Sequence, residues 1–191
     1  MDVLNAGNKS TNDELLPRIL MIEDNPGDAF LFGRALRDAG FDHAMAVASN
    51  GDHALAMLRG DDQSGAFPCV DLVILDLNLP GKSGHEVLRE IKGNPKLRAV
   101  PVIVFSSSEA ESDMVEAYDL HANCYIRKPV GLDETLELAH RLASFWLLCV
   151  SLPRCARVRQ RCRESGAGYA LSDGSTRAGG EVREKRILKR A

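Results

Sequence analysis

Four short apolar runs of the sequence each end in residues that could bind a cation or a phosphoryl group. The acid pair Glu23-Asp24 follows the first run, Asp76 follows the second, Ser106 ends the third, and Lys128 lies just beyond the fourth. Carboxylates are the ligands that hard divalent cations prefer, whereas a hydroxyl and a lysine can contact phosphoryl oxygens. The set therefore predicts a site that holds a divalent cation and a phosphoryl group together.

The apolar runs alternate with segments of helical periodicity, as in a parallel α/β fold. The predicted strands are Arg18–Ile22, His43–Ala48, Val70–Leu75, Val102–Phe105 and Asn123–Ile126. The predicted helices are one that begins near Asp28 as its N-cap and ends at Gly40, then Gly51–Arg59, Gly84–Lys92, one near Ala110–Leu120 with Met114, Ala117 and Tyr118 inward, and one that starts near Asp133. Five strand–helix units in succession predict a doubly wound, five-stranded parallel sheet. The carboxyl ends of its strands would share one edge, where such folds build their sites.

The composition divides the 191 residues into an acidic globule and a basic end. Residues 153–191 contain 11 Lys and Arg against 4 Asp and Glu, a net charge of +7, which leaves −10 for the remainder. We expect a flexible leader over residues 1–16, a folded domain over 17–152 and a disordered basic tail over 153–191.

Several classes of protein are disfavoured by the sequence. No apolar stretch approaches the about 20 residues of a membrane span, and residues 1–16 lack the apolar core of a signal peptide. The five cysteines are an odd number without metal-type spacing, so we expect reduced thiols. These features predict a cytoplasmic protein without membrane contact.

The chain resembles the receiver domain of two-component response regulators over about residues 17–147. The resemblance rests on the acid pair, on Asp76 followed by Asn-Leu-Pro and Gly84, on Ser106 at a strand end, and on the aromatic–x–x–Lys-Pro sequence Tyr125–Pro129. It implies the flavodoxin-like receiver fold. It also implies that Asp76 accepts a phosphoryl group from a sensor histidine kinase, so that the protein is a phosphoacceptor for signalling that assists its own phosphorylation and dephosphorylation.

The resemblance also assigns a metal site. It implies Mg²⁺, or Mn²⁺ in its place, held by Asp24, by Asp76, by the backbone carbonyl of Asn78, and by Glu23 through a bound water.

The same resemblance gives roles to the remaining site residues. Lys128 would pair with Asp76 and later with the phosphoryl group, aimed by a cis bond to Pro129. Ser106 and Tyr125 would form a switch in which the serine hydroxyl moves toward the phosphoryl group and the tyrosine ring fills the vacated space.

A finer resemblance points to one subfamily. The stretches Ile22–Asp28, Leu75–Lys82, Asn94–Val102 and Phe145–Leu147 resemble single-domain regulators that serve phytochrome-type sensor kinases, lack an output domain and tend to dimerise. We therefore expect a phytochrome partner and a homodimer formed through the regions around Tyr118–Tyr125 and Leu138–Val150, with Trp146 as an anchor.

Other functions remain open at this point. The basic tail could contact nucleic-acid phosphates, although a basic run without aromatics or periodicity is also typical of an unstructured end. A pseudo-receiver scaffold that never takes phosphate is a further alternative, disfavoured by the intact acid pair, Asp76 and Lys128. An aspartate-nucleophile phosphohydrolase is excluded because its second acid would stand where this chain has Asn78.

Overall fold

The computed structural model describes residues 16–61 and 69–153. The strands are β1 (Arg18–Ile22), β2 (Ala44–Ala48), β3 (Leu72–Leu75), β4 (Val102–Ser106) and β5 (Cys124–Arg127). The helices are α1 (Pro26–Asp38), α2 (Gly51–Arg59), α3 (Gly84–Gly93), α4 (Glu111–Asp119) and α5 (Leu132–Ala143), and a π-helix over Ser144–Cys149 continues α5.

The five strands form one parallel sheet in the order β2-β1-β3-β4-β5. The register places Ile22 of β1 beside Leu75 of β3, and Ser106 of β4 beside Arg127 of β5. The carboxyl ends of these neighbouring strands therefore lie at one edge of the sheet. The predicted doubly wound fold is confirmed, and the strand ends meet where the sequence placed the candidate site.

The core consists of two apolar layers, one on each face of the sheet. One layer packs α2, α3 and the single buried position of α4 against the sheet, and the other packs α1 and α5 against the opposite face. All four residues of β3 are buried, which explains why this strand is a continuous apolar run. The central strands are thus packed on both faces, and this packing also holds in place the residues that directly follow them.

The start of α1 differs from the prediction. The helix begins at Pro26, and the side chain of Asn25 caps it by accepting hydrogen bonds from the backbone amides of Gly27 (2.9 Å) and Asp28 (3.4 Å). Asparagine is as good an N-cap as aspartate, and proline suits the first helical turn. Asp28 is therefore not the cap, and its carboxylate is free for other contacts.

The inward face predicted for α4 is wrong in part. Only Ala117 is buried, whereas Tyr118 is 49% exposed and Met114 is only half-buried. The helix lies beside β5, the edge strand of the sheet, so it covers less of the core than a helix over a central strand does. Val115, which is 50% exposed, and Tyr118 therefore lie on the surface of the helix.

The end of the fold also departs from the prediction. Trp146 and Leu147 pack against the core layer formed by α1 and α5, while Phe145 and Leu148 are 57% and 70% exposed. All four side chains belong to the π-helix, which turns one pair toward the core and the other pair toward the surface. Trp146 is therefore a packing residue of its own domain, and the exposed apolar surface belongs to its neighbours.

The cysteines are not all reduced thiols. Cys69 is disulfide-bonded, whereas Cys124 and Cys149 are free. Disulfide formation depends on the separation of two Cα atoms in space, and spacing along the chain does not report it. The predicted leader and basic tail lie largely outside the described residues. Within the described ranges, every helix is too short or too polar to cross a membrane.

Candidate functional site

The backbone hydrogen bonds of the sheet continue one residue past the strands and fix where the candidate side chains emerge. The amide of Glu23 donates to the carbonyl of Ala48 (2.9 Å), and the amide of Asp76 donates to the carbonyl of Ile22 (3.0 Å). The amide of Lys128 donates to the carbonyl of Ser106 (2.9 Å). The two acids and the lysine are thereby held at one edge of the sheet, at the ends of β1, β3 and β5.

Three carboxylates converge at this edge. Glu23, Asp24 and Asp76 each offer an oxygen, and these oxygens lie within 4.8 Å of one another. Glu23 and Asp76 are buried, at 2% and 4% exposure, whereas Asp24 is exposed. Oxygen ligands from carboxylates, with room for solvent on one side, are what Mg²⁺ and Mn²⁺ prefer. The residues present therefore fit a divalent cation.

Lys128 lies between carboxylates. Its Nζ is 2.5 Å from Oε2 of Glu23, 2.7 Å from Oδ2 of Asp76 and 3.3 Å from Oδ2 of Asp28. The predicted Lys128–Asp76 pair is present. Asp28 is a site residue that the sequence analysis missed, because it was assigned to the cap of α1.

The electrostatics of the cluster follow from burial and from its excess of acids. Burial alone would lower the pKa of Lys128, but the hydrogen bonds and the attraction of Asp76 and Glu23 outweigh it, so the pKa lies above the usual lysine range. Burial raises the pKa of Glu23, and its contacts with Lys128 only partly offset this. Four acidic side chains lie in and around the cluster with one lysine among them, so acids outnumber bases here, and a divalent cation would offset part of this imbalance.

The loop between β3 and α3 depends on two glycines. Gly81 has a φ of +75°, a left-handed conformation that glycine adopts without strain. A Cβ on Gly84 would overlap the backbone of Asp76 and of Leu77. The amide of Asn78 donates to Oδ1 of Asp76 (3.1 Å), so this loop also orients the carboxylate.

A chain of hydrogen bonds connects Ser106 with Tyr125 through the loop between β4 and α4. The buried hydroxyl of Ser106 accepts from the amide of Ser108 (3.3 Å), and the hydroxyl of Ser108 donates to Asp113 (2.6 Å). The hydroxyl of Tyr125 donates to the carbonyl of Ser108 (3.2 Å), and its amide donates to the hydroxyl of Tyr118 (3.3 Å). Ser106 and Tyr125 therefore both contact Ser108, a residue that was not among the predicted site residues.

The expected cis bond before Pro129 is absent, because the described residues contain no cis peptide bond. The direction of Lys128 is set instead by the hydrogen bond from its backbone amide to the carbonyl of Ser106 and by its three carboxylate partners.

Comparison with known proteins gives one family. Residues 19–140 match the model of the response regulator receiver domain. The chain is 39% identical over 135 residues to Response regulator Rcp1 of Synechocystis sp., which covers 71% of this chain and 92% of that protein. A crystal structure of the Mn²⁺-bound form of Rcp1 superposes with a TM-score of 0.68 at 39% identity, over 72% of this chain and 99% of that one. A crystal structure of the phosphorylated cyanobacterial phytochrome response regulator RcpA gives 0.69 at 39% identity, with the same coverage.

Proposed function

The chain belongs to the response regulator receiver family, a family of phosphoacceptor signalling proteins, and on that premise we propose that Asp76 is the residue that accepts the phosphoryl group. One observation carries this assignment. Among the aspartates of the site, Asp76 is the one that belongs both to the acidic cluster and to the contacts of Lys128, with an Oδ2–Nζ distance of 2.7 Å, a double role that it shares with Glu23. It also follows a central strand buried on both faces, which holds it in place.

The chemistry assigned to this residue is transfer from a phosphohistidine. An oxygen of Asp76 attacks phosphorus, the phosphorus–nitrogen bond breaks, and the imidazole leaves with the electron pair, so an acyl phosphate forms. The ligands proposed for Mg²⁺ or Mn²⁺ are Asp24, Asp76 and the carbonyl of Asn78, with Glu23 acting through a bound water, and the ion would supply positive charge that offsets the repulsion between the carboxylate and the donor's oxygens. Lys128 would then pair with a phosphoryl oxygen.

The test uses the acid-stable, hydroxylamine-labile mass increase expected of an acyl phosphate. Purified protein is incubated with Mg²⁺ and acetyl phosphate, and the increase should be present in wild type and absent in Asp76→Asn. Asp71→Asn is the matched control, because Asp71 flanks the other end of β3 and accepts from the amide of Arg18 at the far edge of the sheet. Full labelling of Asp76→Asn would overturn the assignment.

We further propose that Ser106 and Tyr125 convert phosphorylation into a surface change. The support is their shared contact with Ser108, since a Ser106 hydroxyl drawn toward a phosphoryl oxygen would break its bond with the Ser108 amide and release the carbonyl that Tyr125 holds. Ser106→Ala should still accept phosphate but show a smaller change in amide exchange over α4 and β5. An exchange change equal to that of wild type would contradict this coupling.

The family implies a histidine kinase as partner. We propose that this kinase is a phytochrome-type sensor, on the ground that RcpA, a similar protein, is a phytochrome response regulator. Phosphotransfer profiling of the purified chain against several sensor kinases tests this. A phytochrome-type kinase should label Asp76 faster than the other kinases do, and equal rates would contradict the proposal.

A homodimer is proposed from exposed apolar side chains. Val115 and Tyr118 on α4 and Phe145 and Leu148 on the terminal π-helix are each about half exposed or more, and large exposed apolar patches are typical of interfaces. Phe145→Ser with Leu148→Ser should shift sedimentation toward monomer while the melting temperature of dilute protein stays unchanged. A wild-type chain that remains monomeric at all concentrations would contradict the dimer.

A further inference from the structure

Asp28 contacts the site without belonging to its carboxylate cluster. It lies in the first turn of α1, and its Oδ2 is 3.3 Å from Nζ of Lys128. The cation ligands proposed above do not include it. Since Asn25 caps the helix, the carboxylate of Asp28 is not needed to satisfy the helix terminus. Its side chain is 43% exposed, against 12% for Lys128, so it can follow a movement of the ammonium.

The space beside Lys128 makes such a movement possible. A cavity of about 160 Å³ opens between α1, the start of α5 and the residues that follow β5. Asp28 and Lys128 are its charged lining residues, and most of the other lining side chains are apolar, among them Leu31, Phe32 and Phe105. An ammonium displaced from Asp76 toward this cavity therefore meets one carboxylate, that of Asp28.

We propose that Asp28 is a positioning residue that retains Lys128 when Glu23, Asp24 and Asp76 take up a divalent cation. This inference rests on the proposed function of the site. A cation among those three carboxylates repels the ammonium that two of them hold. Asp28, which is not a ligand of the cation, remains available as a negatively charged partner for Lys128. The lysine then stays at the mouth of the site, ready for a phosphoryl oxygen, and competes less for the cation's ligands.

A simpler role for Asp28 would act through its charge alone, by attracting the cation across the site or by interacting with the amino end of α1. The two roles differ in their dependence on Lys128. An effect that passes through the lysine shrinks when the lysine is removed, whereas an effect of charge alone does not. A double-mutant cycle measures this difference.

The experiment is a calorimetric titration of the full chain with MgCl₂ and no phosphoryl donor. The four proteins are wild type, Asp28→Asn, Lys128→Met and the double variant, with Glu109→Gln, which removes an exposed carboxylate from the loop after β4, as the control. We expect Asp28→Asn to weaken Mg²⁺ binding about fivefold when Lys128 is present and by less than about twofold when it is absent. Glu109→Gln should stay within about twofold of wild type.

The proposal is overturned if Asp28→Asn weakens Mg²⁺ binding by factors that agree within twofold with and without Lys128. It is also overturned if Glu109→Gln weakens Mg²⁺ binding as much as Asp28→Asn does. Because Lys128→Met could fold poorly, a second measurement follows the ammonium of Lys128 by ¹⁵N NMR in the Mg²⁺-saturated protein. Its proton signal should be sharp in wild type and broadened by water exchange in Asp28→Asn. Equal signals in both proteins also overturn the proposal. Neither measurement requires Asp76 to accept phosphate, so a failure here is distinct from a failure of the phosphoacceptor assignment.

Discussion

Replacing Lys128 by methionine should leave Glu23 and Asp76 as a buried pair of acids without their basic partner. Glu23 and Asp76 keep only 1% and 5% of their side-chain surface exposed, and Lys128 is 2.5 and 2.7 Å from them. Removing one partner of a buried ion pair costs about 3–5 kcal/mol. For a chain of this size, about 1 kcal/mol shifts the melting temperature by about 2–4 °C. The variant should therefore melt about 6–20 °C below wild type at pH 7.5 without divalent cation.

The deficit should depend on pH and on Mg²⁺. Burial raises the pKa of Glu23 in the folded state, and without the lysine its offsetting contacts are lost, so stability should recover as the pH falls and this carboxyl group takes up a proton. In wild type the pKa of Lys128 is raised, so its stabilising effect is full below the ordinary lysine pKa of about 10.4 and is lost only as the pH rises through the folded-state value. A saturating cation should also restore the variant, by about 2.7 kcal/mol at one hundred times the dissociation constant.

The assay is thermal unfolding followed by circular dichroism, in EDTA and in MgCl₂, at pH 7.5 and at pH 5. Arg34→Met is the matched control, because it breaks an ion pair with Asp38 whose side chains are 64% and 56% exposed. Such a surface pair is worth about 0.5 kcal/mol or less. If Lys128→Met melts within 2 °C of wild type in EDTA at pH 7.5, the reasoning about desolvated charge is refuted.

Three further substitutions test other parts of the structure by thermal unfolding. Because burial raises the pKa of Glu23, its ionised form lowers stability at neutral pH but not below about pH 4.3, where the group is protonated in both states. Metal-free Glu23→Gln should therefore melt above wild type at pH 7.5 and at the same temperature as wild type at pH 4. A variant that melts below wild type at pH 7.5 would contradict this. Gly84→Ala should lower the free energy of unfolding by about 1–3 kcal/mol, because its Cβ would overlap the backbone of Asp76 and Leu77. Gly93→Ala is the control, because its Cβ would meet nothing within 4 Å. Equal melting temperatures of the two variants would refute the close approach at Gly84. Trp146→Ala should lose about 3 kcal/mol of packing and melt lower by the same amount at every protein concentration, whereas a deficit that grows on dilution would place this side chain in an interface.

Sequence reasoning identified the sheet and the principal acids because each strand is an apolar run with a polar residue at its end. Val102 to Ser106 and Arg18 to Ile22 show this pattern, and both fold as expected. Parallel pairing then brings the ends together, so Asp76 and Lys128 meet although 52 residues separate them along the chain.

The errors arise where local signals are degenerate. Asn25 and Asp28 are both good helix caps, so the sequence could not say which one caps α1, and the contact of Asp28 with Lys128 was missed. The apolar character of Trp146 fits a core position as well as an interface. Its orientation depends on the π-helical turn, which hydrophobic periodicity does not predict. The disulfide at Cys69 depends on a distance in space that spacing along the chain does not contain.

The excess negative charge around Lys128 links the persistence of the protein in a cell to its ionic surroundings. A fold that binds a cation only in its native state is stabilised by mass action, by about 1.4 kcal/mol for a free concentration ten times the dissociation constant. Proteases that cut transiently opened chains respond to the population of the open form. The abundance of this regulator should therefore follow free Mg²⁺ through its rate of turnover, quite apart from any effect of the ion on phosphoryl transfer.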